Sequence, residues 1–246
     1  MREQEHTFVV EGTKALREAL DSGAKIHAVY AAPAAPPDIV EQAVAAGAVV
    51  HHVESGVVER VAPTVTPQPV LAVAEQVHVG LDALADASLL VIAVDIADPG
   101  NLGSVMRSAE AAGAAGVVCC GSSVDVYNPK TVRASAGAMF HLRVAVAGDP
   151  VEVLHRVGGW GVLRLGAVAR GGTDHTEVDL CRRVALVIGS EAAGLAPEVL
   201  EEGVDQLVTI PMSGQAESLN AGVAAAVLCF EVARQRRAQE VLAGGS

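Results

Sequence analysis

Leu89-Leu90-Val91-Ile92-Ala93-Val94-Asp95-Ile96 decides the fold class, because seven of its eight residues are apolar. A run this continuous leaves no polar face, so it reads as a parallel strand covered on both sides. Asp98-Pro99-Gly100-Asn101-Leu102-Gly103-Ser104-Val105-Met106-Arg107 follows directly. Glycines at a strand-to-helix turn suit close approach by a ligand or by another backbone. Leu102, Val105, Met106 and Ala109 recur at helical spacing and form a core face, with Arg107 off that face, one turn beyond Gly103. Read alone, Arg107 is equally an ordinary solvated helix arginine. A dinucleotide-binding turn is a weaker alternative, since no GxGxxG is present.

Outward from this stretch the same rhythm continues. Residues 117–120, 161–168, 184–188 and 206–210 are short apolar runs with helical patterns between them, and a long helix is expected over 216–237. Toward the N-terminus, Phe8-Val9-Val10 and residues 26–30, 48–53 and 70–75 read as strands, with helices near 12–22 and 37–46. Strands alternating with helices indicate an α/β class throughout. Pro63-Thr64-Val65-Thr66-Pro67-Gln68-Pro69 carries three prolines in seven residues and is expected to be a loop. The expected division is a small domain over 1–77, a linker over 78–88 with one helical turn, and a larger domain over 89–246.

Composition narrows the function. Hydrophobic residues make up 51% of the 246 positions and aromatics only 2%, so the core is built from small aliphatic side chains. No stretch approaches the roughly 20 apolar residues that span a bilayer, and Met1-Arg2-Glu3-Gln4-Glu5-His6 lacks the apolar run of a secretory signal. The expectation is a soluble cytoplasmic protein. Cys119 and Cys120 are adjacent while Cys181 and Cys229 stand alone, so neither CxxC nor zinc spacing occurs, and the eight histidines form no HExxH. Reduced, buried thiols and no metal are expected. The net charge of −12 argues against indiscriminate nucleic-acid binding. A local basic patch on an acidic body remains compatible with it.

Two further motifs sit in the larger domain. In Leu186-Val187-Ile188-Gly189-Ser190-Glu191-Ala192-Ala193-Gly194-Leu195, a buried strand opens into a glycine, an acid and a second glycine before a helix near Pro197. Glu191 alone is as well explained as a helix cap. In Ile210-Pro211-Met212-Ser213-Gly214-Gln215-Ala216-Glu217-Ser218-Leu219-Asn220, a strand ends at a proline and a small-residue loop opens the long helix. Ser218 or Asn220 alone is as well explained as an N-terminal cap. Ligands on open parallel sheets bind beyond the strand C-terminal ends, where all three motifs lie.

With these motifs in order, the chain resembles the SpoU (TrmH-like) branch of the SPOUT RNA 2′-O-ribose methyltransferases. Asn101-x-Gly103-x-x-x-Arg107, Gly189-Ser190-Glu191-x-x-Gly194-Leu195 and Ile210-Pro211-Met212 through Ser218-Leu219-Asn220 look like the family's three motifs. Residues 128–138, from Asn128-Pro129-Lys130 to Ala136-Gly137-Ala138, are similar to a segment between the first two. Phe8-Val9-Val10-Glu11-Gly12 and Gln68-x-x-Leu71-Ala72-Val73 resemble an L30e-like substrate-binding domain.

The resemblance implies a trefoil-knotted C-terminal domain and S-adenosylmethionine as methyl donor. It also implies a homodimer whose active site is completed across the interface. By analogy, Gly189, Ile210, Met212, Ser218 and Leu219 hold the cofactor, and Arg107, Asn101, Glu191, Ser218 and Asn220 form the catalytic set. Family members often carry serine two residues after the asparagine of the third motif. Here Gly222 stands instead, which removes one polar contact in the helix.

The implied reaction is displacement at a sulfonium methyl by a ribose 2′-hydroxyl, in which the protein aligns donor and acceptor. Guanidinium groups stay protonated at neutral pH, so Arg107 is read as gripping the adjacent phosphate and polarising the hydroxyl rather than as a base. Arg107, Lys130, Arg133 and Arg143 are the expected RNA-binding strip. Residues 1–77 hold five basic and ten acidic side chains, a net of −5, so recognition there rests on shape and a few contacts. Ribosomal RNA is the expected substrate, with transfer RNA next. The rivals are a knotted cofactor- or RNA-binding protein without methyl transfer, and a methyltransferase acting on a non-RNA substrate.

Overall fold

The computed structural model describes residues 6–61 and 68–244. Two sheets organise them. The first has four strands: β1 (Thr7–Glu11), β2 (Ile26–Ala31), β3 (Val49–His52) and β4 (Val70–Glu75), in the order β1-β4-β2-β3. β4 pairs antiparallel with both β1 and β2, while β2 and β3 are parallel. Helices α1 (Thr13–Asp21) and α2 (Pro37–Ala45) bury Leu16, Ala19, Ile39 and Ala43 in the same core as Phe8, Val10 and Ala72. Short α3 (Val57–Val61) places Val58 on Leu71 and Ala32 in a separate cluster. Pro63 to Pro67 of the expected loop lie outside the described residues; Gln68 and Pro69 run straight into β4.

The second sheet is parallel in all six pairings. Its strands are β5 (Leu89–Val94), β6 (Gly116–Cys120), β7 (Arg143–Val146), β8 (Leu163–Ala167), β9 (Thr173–Asp174), β10 (Val184–Ile188) and β11 (Gln206–Thr209). They lie in the order β7-β6-β5-β10-β8-β11-β9. β5 and β10 are buried at every position, as the unbroken apolar runs demand, because the two faces go to different helix layers. Leu89, Val91, Ala93, Leu186 and Ile188 pack with α4 (Pro99–Ala111) and α7 (Ala221–Gly244). Their alternates Leu90, Ile92, Val94, Ala185 and Val187 pack with α6 (Pro150–Gly159) and a π-helical turn, Val199–Gly203. The remaining helix, α5 (Pro129–Ala134), lies against α4 and β1.

The long C-terminal helix begins at Ala221 rather than near 216, because Asn220 caps it there by accepting from the Val223 amide. Residues 78–88 form a packed strap rather than a loose connection. A 3-10 turn, Leu81–Leu84, buries Leu84 completely, and Arg143 and Arg183 hold the carbonyls of Ala83, Ala85 and Ala87. The two sheets share one core through Phe8, whose ring lies 4.6 Å from that of Tyr127; the Tyr127 hydroxyl accepts the His78 amide at 2.9 Å. Cys119, Cys120 and Cys229 are buried, and burial pushes each thiol up to about 12, so they behave as small hydrophobes. No helix among the described residues is long and apolar enough to cross a membrane.

Candidate active site

The glycines of the first two motifs serve the chain's own backbone. A Cβ on Gly103 would stand 2.8 Å from the backbone of Ala134 and Ser135, so this position lets α4 cross α5. A Cβ on Gly189 would run into the Gly194 carbonyl. The Ser190 and Gly194 backbones exchange two hydrogen bonds of 3.0 Å, and Gly194 takes φ +70°, closing residues 190–194 into a tight loop. The turn glycines thus meet another strand of chain; the ligand face is formed by what they position. Asp98 caps α4 by accepting from the Asn101 amide at 2.8 Å, and Asn220 Oδ1 caps α7 by accepting from Val223 at 3.2 Å.

Cap and site roles coincide at Asn220. Its Nδ2 donates to Asn101 Oδ1 at 2.8 Å, and Asn101 Nδ2 donates to Glu191 Oε1 at 2.6 Å. One relay therefore joins the three motifs, across 119 and 90 residues of sequence. Its polarity runs one way and ends on a carboxylate, the side chain that only accepts. Glu191 is accordingly held by Asn101. Gly222 fits the same junction: a Cβ there would lie 2.8 Å from Ser104 Cβ, so glycine at 222 is matched to serine at 104. The Ser104 hydroxyl donates back to the Gly100 carbonyl at 2.8 Å.

Beyond the C-terminal ends of β8, β10 and β11 lies a cavity of about 430 Å³. Gly189, Ile210, Met212, Ser218 and Leu219 all line it, together with Glu191. Leu195, Val208 and Leu228 are buried and supply an apolar wall. Among the described residues Ser190, Glu191, Glu217 and Ser218 are its polar side chains, and no lysine, arginine or histidine lines it.

Arg107 does not line this cavity. It is exposed and lines a second, more open groove of about 450 Å³ with Ser104, Asn220, Val223 and Phe230 on the outer faces of α4 and α7. Among the described residues its side chain has no hydrogen-bond or ion-pair partner, and the same holds for exposed Lys130 and Arg133 on α5. Arg143 is engaged elsewhere. It starts β7, at the opposite end of the sheet, where its guanidinium donates to the Ala83 and Ala115 carbonyls and to Asp86 Oδ1 at 2.7 Å. The same contact holds the Asp86 carboxyl below its usual range. Arg143 clamps the strap.

Comparison with known proteins agrees with this geometry. The model of the SpoU rRNA methylase family matches residues 88–230, and that of the MRM3-like substrate binding domain matches residues 1–72. The chain belongs to the SpoU rRNA methylase family. It is 32% identical over 233 residues to the 23S rRNA (guanosine(2553)-2′-O)-methyltransferase RlmP of Bacillus subtilis, covering 94% of this chain and 90% of that protein. The structure of the SpoU methyltransferase AviRb from Streptomyces viridochromogenes with the cofactor AdoMet matches at a TM-score of 0.85 and 29% identity, over 96% and 93% of the two chains. An AdoMet-bound rRNA methyltransferase from Sinorhizobium meliloti matches at a TM-score of 0.83 and 32% identity, over 95% and 89%.

In this SpoU chain the cavity suits a methyl donor of that kind. Its volume falls in the range of small-ligand sites, its wall is apolar for a flat base, and its charged side chains among the described residues are acidic, which is compatible with a sulfonium cation. Sequence reasoning missed two parts of it. Ala167, Val168 and Ala169 line it from the end of β8, a strand that was legible and whose C-terminal loop belonged on the ligand side by the same rule as the others. Glu217 lay within the third motif without an assigned role. Among the described residues no cluster of three potential metal ligands occurs.

Proposed function

We propose that this SpoU chain is an S-adenosylmethionine-dependent RNA 2′-O-ribose methyltransferase acting on ribosomal RNA, with transfer RNA as the next substrate class. The observation that carries the reading is the cavity built from the second and third motif loops and the end of β8, to which the Asn220–Asn101–Glu191 relay ties the first motif. Residues 1–77 form the substrate-binding domain and residues 89–246 the methyltransferase domain. β10 and β11 each lie between strands placed earlier in the chain, the order left by a chain threaded through its own loop, which supports a trefoil knot. The enzyme works in the cytoplasm.

When bound, the cofactor supplies an electrophilic sulfonium methyl group. Gly189, Ile210, Met212, Ser218 and Leu219 hold it, and Asn101, Glu191 and Asn220 keep the three loops at fixed separation. Arg107 donates to the phosphate beside the target ribose and holds the 2′-hydroxyl in line. Because Arg107 stands outside its own chain's cavity, on a groove with half-exposed Val223 and Phe230, a homodimer that covers the groove brings it to the partner's cavity. Lys130 and Arg133 add phosphate contacts.

The test is transfer of labelled methyl from S-adenosylmethionine to total RNA, followed by ribose-methylation mapping with and without the gene. A single 2′-O-methyl site lost with the gene is the expected result. Donor binding with no label in RNA would make the chain a binding protein. Label in protein or small molecules alone would replace RNA as the substrate.

A further inference from the structure

The cavity is electrostatically one-sided. Among the described residues two carboxylates line it and no cationic side chain does. Glu191 is engaged, since Asn101 Nδ2 donates to it at 2.6 Å. Glu217 is exposed at the mouth, and among the described residues its carboxylate has no hydrogen-bond or ion-pair partner. An uncompensated negative charge beside a ligand site selects for positive charge in the ligand.

We infer that the Glu217 carboxylate is the counter-charge to the donor's sulfonium and makes the site prefer S-adenosylmethionine to its demethylated thioether product. The inference rests on the methyl-donor reading above and names the group that discriminates within it. In the donor's amino-acid end, ammonium and carboxylate cancel, so the sulfonium is the single unbalanced charge. Position agrees with charge. A polymer acceptor cannot enter a cavity of about 430 Å³, so the methyl group must sit at the mouth, beside exposed Glu217 and Ser218. Buried Leu195, Val208 and Leu228 are left for the base.

During transfer the sulfur–methyl bond breaks with its electron pair staying on sulfur, the carbon–oxygen bond forms, and the hydroxyl proton leaves to solvent. The positive charge facing Glu217 disappears in that step. Attraction that is strongest before transfer stabilises the bound donor more than the transition state, so Glu217 governs donor selection and product exchange rather than the rate of the chemical step.

The experiment is calorimetric titration of the full-length protein and of Glu217→Gln and Glu217→Asp with S-adenosylmethionine and with S-adenosylhomocysteine. Glu217→Gln is expected to weaken S-adenosylmethionine about tenfold and S-adenosylhomocysteine less than about twofold, with Glu217→Asp between wild type and Glu217→Gln. Equal weakening of both ligands, or no weakening of either, overturns the inference. If the wild-type protein itself fails to bind S-adenosylmethionine, the methyl-donor reading falls instead. The two failures are therefore distinguishable.

Discussion

Asn101 makes three contacts that explain why no shorter or longer side chain suits its position. Its amide nitrogen completes the Asp98 cap, its Nδ2 reaches Glu191 and its Oδ1 receives Asn220. An aspartate there would still accept from Asn220 but would confront Glu191 with a second carboxylate and break the relay at that link, because a carboxylate cannot donate. Arg107 is the opposite case, an exposed side chain without a partner among the described residues, in a helix whose stability does not require it. Arg107→Ala is therefore expected to lower methyl transfer by about two to three orders of magnitude while S-adenosylmethionine affinity stays within about twofold. Single-turnover transfer and donor titration on the same preparation check this. Parallel loss of both would assign Arg107 a structural role.

Elements meet through a small clasp at Thr209, the last residue of β11. Its hydroxyl donates to the Val168 carbonyl at 2.9 Å and accepts the Gly172 amide at 3.1 Å, while its own carbonyl accepts the His175 amide. Two of the cavity-lining loops, after β8 and after β11, are locked together by that single side chain. Thr209→Val keeps the shape and removes both hydroxyl contacts. S-adenosylmethionine affinity is expected to fall by a factor of about 5, the equivalent of one hydrogen bond, with Thr209→Ser restoring it. Failure of serine to rescue would show that packing at β11, rather than the hydroxyl, sets the loop.

Across the whole molecule, positive charge is divided by use. Arg143, Arg164, Arg183 and Arg236 donate to backbone carbonyls of segments that enter or leave the sheet at its N-terminal edge. Arg164 also pairs with Asp205 at 2.6 Å and holds that carboxyl below its usual range. The cations without partners among the described residues include Arg107, Lys130 and Arg133, which in the proposed function are the basic groups that a chain of net charge −12 keeps for RNA. Assembly completes the site in the proposed homodimer. Mixing an Arg107→Ala chain with a Gly189→Ala chain, each inactive alone, is expected to restore roughly a quarter of wild-type activity, because half the dimers are mixed and each carries one intact site. Measured transfer after subunit exchange decides it. No recovery, with mixed dimers demonstrated, would mean that each chain uses its own Arg107.

The sequence by itself determined the α/β class, the strands at 89–94, 116–120 and 184–188 within a residue or two, and the loops after β10 and β11 that line the cavity. Apolar periodicity and turn residues are local properties, written in neighbouring side chains. Only the tertiary structure decided the order β7-β6-β5-β10-β8-β11-β9, the antiparallel insertion of β4 between β1 and β2, and the use of Gly103 and Gly189 for chain-on-chain contact. It alone separated Arg143, bound to carbonyls from the strap and from Ala115, from Arg107, standing free on an outer groove. Arg143 differs from Arg107 because its partners Ala83, Asp86 and Ala115 lie tens of residues away in sequence, where only the packed chain brings them to it.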